Sequence, residues 1–264
     1  MQSFRRSERT STYFIPPNLH TLDGYAYCGN YKTYSHYNYL RPGLASWIKT
    51  WHFEAALELT SKYFYKCNVI DFGCADGILL PSLARYFQHV VGIDRDLNQI
   101  EIAKKVVSDL DNSNIELICN KDLTINQISL KLNKTYNIIF LLDVLEHIGD
   151  RNDMWGSRVA FLRELSTLID KGIIVVSLPK MVGLPFILQR IGLRALKMWR
   201  EPISLKDLIR AGIFNDTRYL EKKWEWDRHL GFNHKKLEKA LKTHFRIEKK
   251  QDNFFELVWL LKGR

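Results

Sequence analysis

The run Val69-Ile-Asp-Phe-Gly-Cys-Ala-Asp-Gly77 places an acid and two glycines at the end of an apolar, β-branched stretch, and a helical pattern follows from Ile78 to Phe87. That order predicts a strand, a tight turn and a helix start. The turn lets backbone approach a bound group closely, because glycine has no Cβ. A second strand-like run, Val90-Val-Gly-Ile-Asp94, ends in another acid. A carboxylate there is placed to accept hydrogen bonds from the two hydroxyls of a ribose. Together these residues point to a nucleoside-containing cofactor. A dinucleotide fingerprint would need a further glycine in the turn. Gly73 and Gly77 are the two available, which argues against a dehydrogenase.

A third group is Asp143, Glu146 and His147, spaced i, i+3 and i+4 in Leu142-Asp-Val-Leu-Glu-His-Ile148. If a helix begins at Asp143, all three share one face. An imidazole titrating near neutrality suits general-base work on a hydroxyl, which makes His147 a candidate. The simpler expectation is that the two acids cap the helix and the group lines a substrate pocket.

These residues need elements to position them. Strands are expected at Asn68–Phe72, His89–Ile93, Ile115–Cys119, Tyr136–Leu142 and Gly172–Leu178. Helices are expected at Leu44–Tyr65, Ile78–Phe87, Leu97–Leu110 and Gly156–Ile169. The alternation predicts an α/β fold with a parallel sheet covered on both faces. The nearly continuous apolar strands agree with double-sided burial. From Pro179 to Arg228 the alternation stops. A helix at Asn233–Thr243 and two runs, Phe245–Lys249 and Phe254–Leu261, then give a closing hairpin with one antiparallel strand. Residues 1–45 hold seven of the twelve tyrosines among Gly, Pro and Asn, and read as an irregular arm packing aromatic rings on the body.

The pattern resembles a class I S-adenosylmethionine (SAM) dependent methyltransferase. Asp71-x-Gly73-x-Ala75-x-Gly77, Asp94, Asn120-Lys-Asp122-Leu, Leu142–Ile148 and Gly172–Pro179 resemble that family's motifs in order. Ala75 departs from the glycine usual there. The Asp-Val-Leu-Glu-His form is closest to small-molecule and lipid O-methyltransferases, including those of ubiquinone biosynthesis, and is common in glycan methyltransferases. The resemblance implies a Rossmann-like, seven-stranded, mostly parallel sheet. It implies that Asp71 orients the cofactor's ammonium group and that Gly73, Ala75 and Gly77 admit its methionine and ribose. Asp94 would hold the ribose, Asp122 the adenine amino group, with Ile93 and Leu123 beside the ring and Leu142 and Asp143 completing the wall. His229, in Trp224-Glu-Trp-Asp-Arg-His-Leu-Gly-Phe232, is a second base candidate, because relatives carry a pocket histidine in this region. Ubiquinone-pathway relatives are thought to bind a metal through Glu-x-x-Glu-His. The shorter Asp143 replaces the first Glu here, and no metal is expected.

Insertions after strand ends carry specificity on such architectures. The domain organisation expected is an arm over 1–45 and a methyltransferase domain over 46–264, with a helical substrate lid at 180–230. Within the lid, residues 183–200 combine an apolar side with Arg190, Arg194, Lys197 and Arg200. That suits an ordinary lid helix or peripheral membrane contact. The acceptor expected is a small molecule, lipid or glycan, methylated at oxygen. The alternatives are an RNA methyltransferase and a non-catalytic SAM-binding protein. RNA finds support in the basic segment from Lys180 to Lys250, where eighteen Lys or Arg face eight Asp or Glu and account for the whole net charge of +10. Against nucleic acid, no RNA-binding module is recognisable. No run of eighteen apolar residues predicts a membrane span. The four cysteines lack metal-ligand spacing and suit a reducing, cytoplasmic setting.

Overall fold

The computed structural model describes residues 13, 14, 19, 33–40, 44–108, 114–195, 203–225 and 229–264. Seven strands form one sheet: β1 Asn68–Phe72, β2 His89–Asp94, β3 Ile115–Cys119, β4 Ile138–Leu141, β5 Ile173–Pro179, β6 Phe245–Asp252 and β7 Glu256–Gly263. Their order is β3-β2-β1-β4-β5-β7-β6. All neighbours from β3 to β5 pair in parallel, and β7 runs antiparallel to both β5 and β6. The seven-stranded, mostly parallel sheet with one antiparallel strand is therefore as the sequence implies.

Side chains alternate between two apolar layers, as the two-residue period of a strand demands. Val69, Val90, Ile138 and Val258 face one layer, while Ile70, Val91, Ile139 and Trp259 face the other. The first layer is closed by α2 (Leu44–Thr60), α3 (Leu80–Tyr86) and α4 (Leu97–Ser108) through Phe53, Leu57, Leu83 and Ala103. The second is closed by α6 (Met154–Ser166) and α10 (His234–Leu241) through Leu162, Leu165, Leu237 and Leu241. Asn233 caps α10, its side chain accepting from the amides of Lys235 and Lys236.

Three elements differ from expectation. Within the expected arm, Tyr34–Asn38 forms a short helix, α1, started by Thr33, whose side chain accepts from the His36 amide. Most of the arm, 1–12, 15–18, 20–32 and 41–43, lies outside the described residues. Helix α5, Ile125–Lys131, has a Thr124–Gln127 capping box at its start. The helix expected from Asp143 is instead a short 3₁₀ turn at Leu145–His147. Asp143 itself adopts φ 53°, which no helix start allows. The lid resolves into α7 (Leu184–Ala195), α8 (Leu205–Ile213) and α9 (Arg218–Glu221), with 196–202 and 226–228 outside the described residues.

Candidate active site

The turns after β1, β2, β4 and β5 open at the carboxyl edge of the parallel strands, where ligands of open α/β sheets bind. A cavity of 1910 Å³ lies there. Its glycine-rich turn is held from below. Ile93, fully buried, accepts at its carbonyl from the amides of Gly73 (2.7 Å) and Cys74 (3.0 Å). The backbone of Gly73 and Ala75 is left-handed, φ 83° and 47°. Alanine at 75 thus carries a conformation its family position would ordinarily give to glycine.

Asp94 braces that turn. One carboxylate oxygen accepts from the Ala75 amide at 2.9 Å and the other from the Asp96 amide at 2.9 Å. Asp71 lines the same cavity at 4% exposure. Burial, and then the Asp94 charge, push its carboxyl up to about 7. A cation seated beside Asp71 would relieve that penalty. Gly77 and Ile93 pack beneath the turn rather than on the cavity wall, with Gly77 close to Ala103 and Leu80. Asp122 is exposed and lies off the wall, which Asn120, Lys121 and Leu123 supply instead.

At the other end, Leu142, Asp143, Glu146, His147 and His229 line the cavity together. The two imidazole rings lie edge to face, 4.7 Å between centroids. Burial, and then His147, hold His229 down at about 3, so it is neutral near pH 7. Asp143 does not cap a helix. Its carboxylate accepts from Ser177 Oγ at 2.7 Å and Tyr39 Oη at 3.2 Å, while its own amide donates to Ser177 Oγ at 2.7 Å. Although burial disfavours its charge, His52 and Ser177 hold its carboxyl below the ordinary value.

Glu146 is fully buried, and burial followed by Asp143 pushes its carboxyl far up. The turn carrying it is fixed by Arg158, also fully buried, whose guanidinium donates to the carbonyls of Leu145, Glu146 and Met154. Trp224 Nε1 adds a bond to the Glu146 carbonyl at 3.1 Å. Among the described residues, Glu146, His147 and His229 bring possible ligand atoms within 4.8 Å of one another, as do His52, Asp143 and Glu256. In the second set His52 turns Nε2 to Asp143 (3.9 Å) and Nδ1 to Glu256 (3.4 Å), the arrangement of an imidazole between two carboxylates.

A family model described as a methyltransferase domain matches residues 36–228, well over half of the chain. The chain belongs to this methyltransferase family. Its curated relatives include ubiquinone biosynthesis O-methyltransferases of Colwellia psychrerythraea (28% identical over 109 residues, 41% of this chain and 40% of the relative) and Bartonella quintana (26% over 157 residues, 55% and 59%). The chain thus spans about half the length of the curated relatives it matches. A structure of magnesium protoporphyrin IX methyltransferase from Synechocystis with bound S-adenosylhomocysteine matches at TM-score 0.54 and 16% identity, over 85% of this chain and 89% of that one. A protein from Pyrococcus horikoshii matches at TM-score 0.59 and 16% identity, over 90% and 100%. At such identities the likeness is one of fold.

His52, Ser177 and Glu256 went unread in the sequence, and Tyr39 was read only as one of the arm's packing aromatics. Of the first three, Ser177 gave a signal, a hydroxyl inside an otherwise apolar strand.

Proposed function

We propose that this protein transfers a methyl group from SAM to a hydroxyl of a small-molecule, lipid or glycan acceptor. The observation that carries this reading is that two facing imidazoles, one of them held neutral, share a cavity with the glycine turn and Asp94. When bound, SAM supplies an electrophilic methyl group with its own leaving group. The protein's work is to align and to remove a proton. Gly73 and Ala75 admit the cofactor close to backbone, and Asp94 keeps carboxylate lone pairs for the ribose while bracing the turn. Asp71 offers its charge to the ammonium group, for which its own proton affinity speaks. Leu123 and Leu142 supply apolar wall.

At the acceptor end, His147 receives the proton that the hydroxyl releases as its oxygen bonds to the methyl carbon, while His229, whose proton affinity is held low, faces it as a neutral ring. The arm 1–45 and the lid 180–230 select the acceptor. On the lid, Leu184, Leu188 and Ile191 of α7 and Leu205, Ile209 and Ile213 of α8 are all exposed large apolar side chains. Arg194, Lys206 and Arg210, all exposed, stand among them. That mixture supports peripheral contact with an anionic membrane surface from the cytoplasmic side. No helix among the described residues is long and apolar enough to cross a membrane.

Calorimetry with SAM tests the cofactor. Incubation with methyl-labelled SAM and separate lipid, glycan, small-phenol and RNA fractions tests the acceptor. Label entering the first three supports the reading, and label confined to RNA overturns it.

A further inference from the structure

His52 lies on α2, has no exposed surface, and bears on the cavity through other side chains. Its ring sits between Asp143, in the turn after β4, and Glu256, the first residue of β7. Asp143 is the residue on which Tyr39, just past α1, rests its hydroxyl. Tyr39 packs edge to face on both His52 and Phe53, at 5.8 and 5.2 Å between centroids. The other end of α1 is tied to the glycine turn. Asp76, fully buried, accepts from the Ser35 amide at 2.7 Å and from the Ser35 hydroxyl. The segment 33–40 is therefore pinned at both ends to acids that lie within the two chief motifs, and Tyr34, Tyr37, Asn38 and Tyr39 line the cavity from it.

We infer that His52 is a positioning residue, which fixes the Asp143 carboxylate as the anchor of Tyr39 and so holds segment 33–40 closed over the cavity between the glycine turn and Asp143. Two half-buried carboxylates on either side of a buried ring repel one another, and an imidazolium between them offsets that repulsion. The groups facing His52 are Asp143, Glu256 and Tyr39, with Lys49 on its own helix. Burial alone would pull its proton off. The two carboxylates outweigh burial and raise its pKa above the ordinary value. Closure is then complete while the ring is charged and loosens as pH rises through that raised value. The role at the cofactor end rests on the SAM reading, whereas the closure of the segment does not.

The test uses the full chain, the variants H52Q and Y39F, and their combination, with S-adenosylhomocysteine as probe. Amide exchange reads closure directly, because the N–H groups of Tyr37, Tyr39 and Leu40 are bonded to the carbonyls of Thr33 and Ser35. Amides of β4 report the fold. Each single variant is expected to lower protection at those three amides about tenfold with β4 unchanged, the scale of one hydrogen bond to a charged group. Each is expected to weaken binding of the probe by a similar factor, and the double variant by no more than the stronger single, since both act through Asp143. Wild-type protection should fall above the His52 pKa, and H52Q should lose that dependence. Wild-type protection in both singles, or additive effects in the double, overturns the inference. Should H52Q also lose β4 protection, Y39F, which removes one oxygen, and the wild-type pH profile decide the matter. If the probe fails to bind wild type while the exchange results stand, the cofactor reading fails and the positioning role survives.

Discussion

Replacing Gly73 by alanine probes how the two halves of the site are fitted together. At φ 83° the new side chain adopts a left-handed conformation, which costs an L-residue roughly 1–2 kcal/mol. Its Cβ would also stand 2.3 Å from Cγ2 of Val144, the residue after Asp143. Forcing a methyl group into such a space costs about 1–3 kcal/mol. The expected loss is therefore about 2–5 kcal/mol, the sum of these two effects. Gly77→Ala is the control. Its φ is 82°, but the nearest contact is 3.1 Å, so backbone strain dominates and the loss should stay near the lower figure. Urea unfolding of both variants, and of G73A/V144A, separates the contributions. Trimming Val144 should return at least ~1 kcal/mol of coupling in the cycle. If G73A costs no more than G77A, and the coupling falls within the ~0.3–0.5 kcal/mol of independent sites, the packing argument is wrong.

The imidazole pair makes its own prediction: H147A and H229A, assayed separately on the true acceptor, should lower kcat by about 10²–10⁴ in at least one case with cofactor affinity kept. Full turnover in both would remove the general-base role. His234, held down at about 4 chiefly by burial, lets the unfolded chain bind a proton that the folded chain refuses between pH 6.5 and about 4. It contributes stability above pH 6.5 that is lost as pH falls to about 4. The difference in unfolding free energy between wild type and H234Q should therefore shrink across that window, and a difference independent of pH would refute the assignment. At the lid, I209E/I213E changes two exposed residues and should cut co-sedimentation with anionic vesicles about tenfold at low salt without changing the melting temperature. Wild type that stays off such vesicles would remove the membrane contact. Exhaustive chelation should leave turnover unchanged, and a loss restored by a divalent cation would reassign Glu146, His147 and His229 as ligands.

The parts legible in the sequence are those whose cause is local. Gly73 and Gly77 announce a turn because backbone sterics demand them, and the apolar runs announce buried parallel strands. The acids at strand ends follow from the same logic. The Asp143 helix was misread because spacing cannot show that one residue has turned left-handed. Arg158 looks like a surface charge in its helix, yet it is buried among Trp155, Trp224 and Phe232, which only tertiary packing reveals. The network of Tyr39, His52, Asp143 and Glu256 draws on three distant stretches of chain, with Tyr39 and His52 in the first. No window of sequence contains it, and each member taken alone is an ordinary residue.

The order of the sheet has a consequence for how the chain is made. β5 pairs on one side with β4, but its other neighbour is β7, more than seventy residues later in the chain. Until residues 256–263 have been synthesised, the run Ile173–Pro179 presents a flat, apolar, unpaired edge, the feature that recruits foreign strands. Nascent or C-terminally clipped chains should thus be captured by chaperones or aggregate edge to edge, although every cofactor motif is already present.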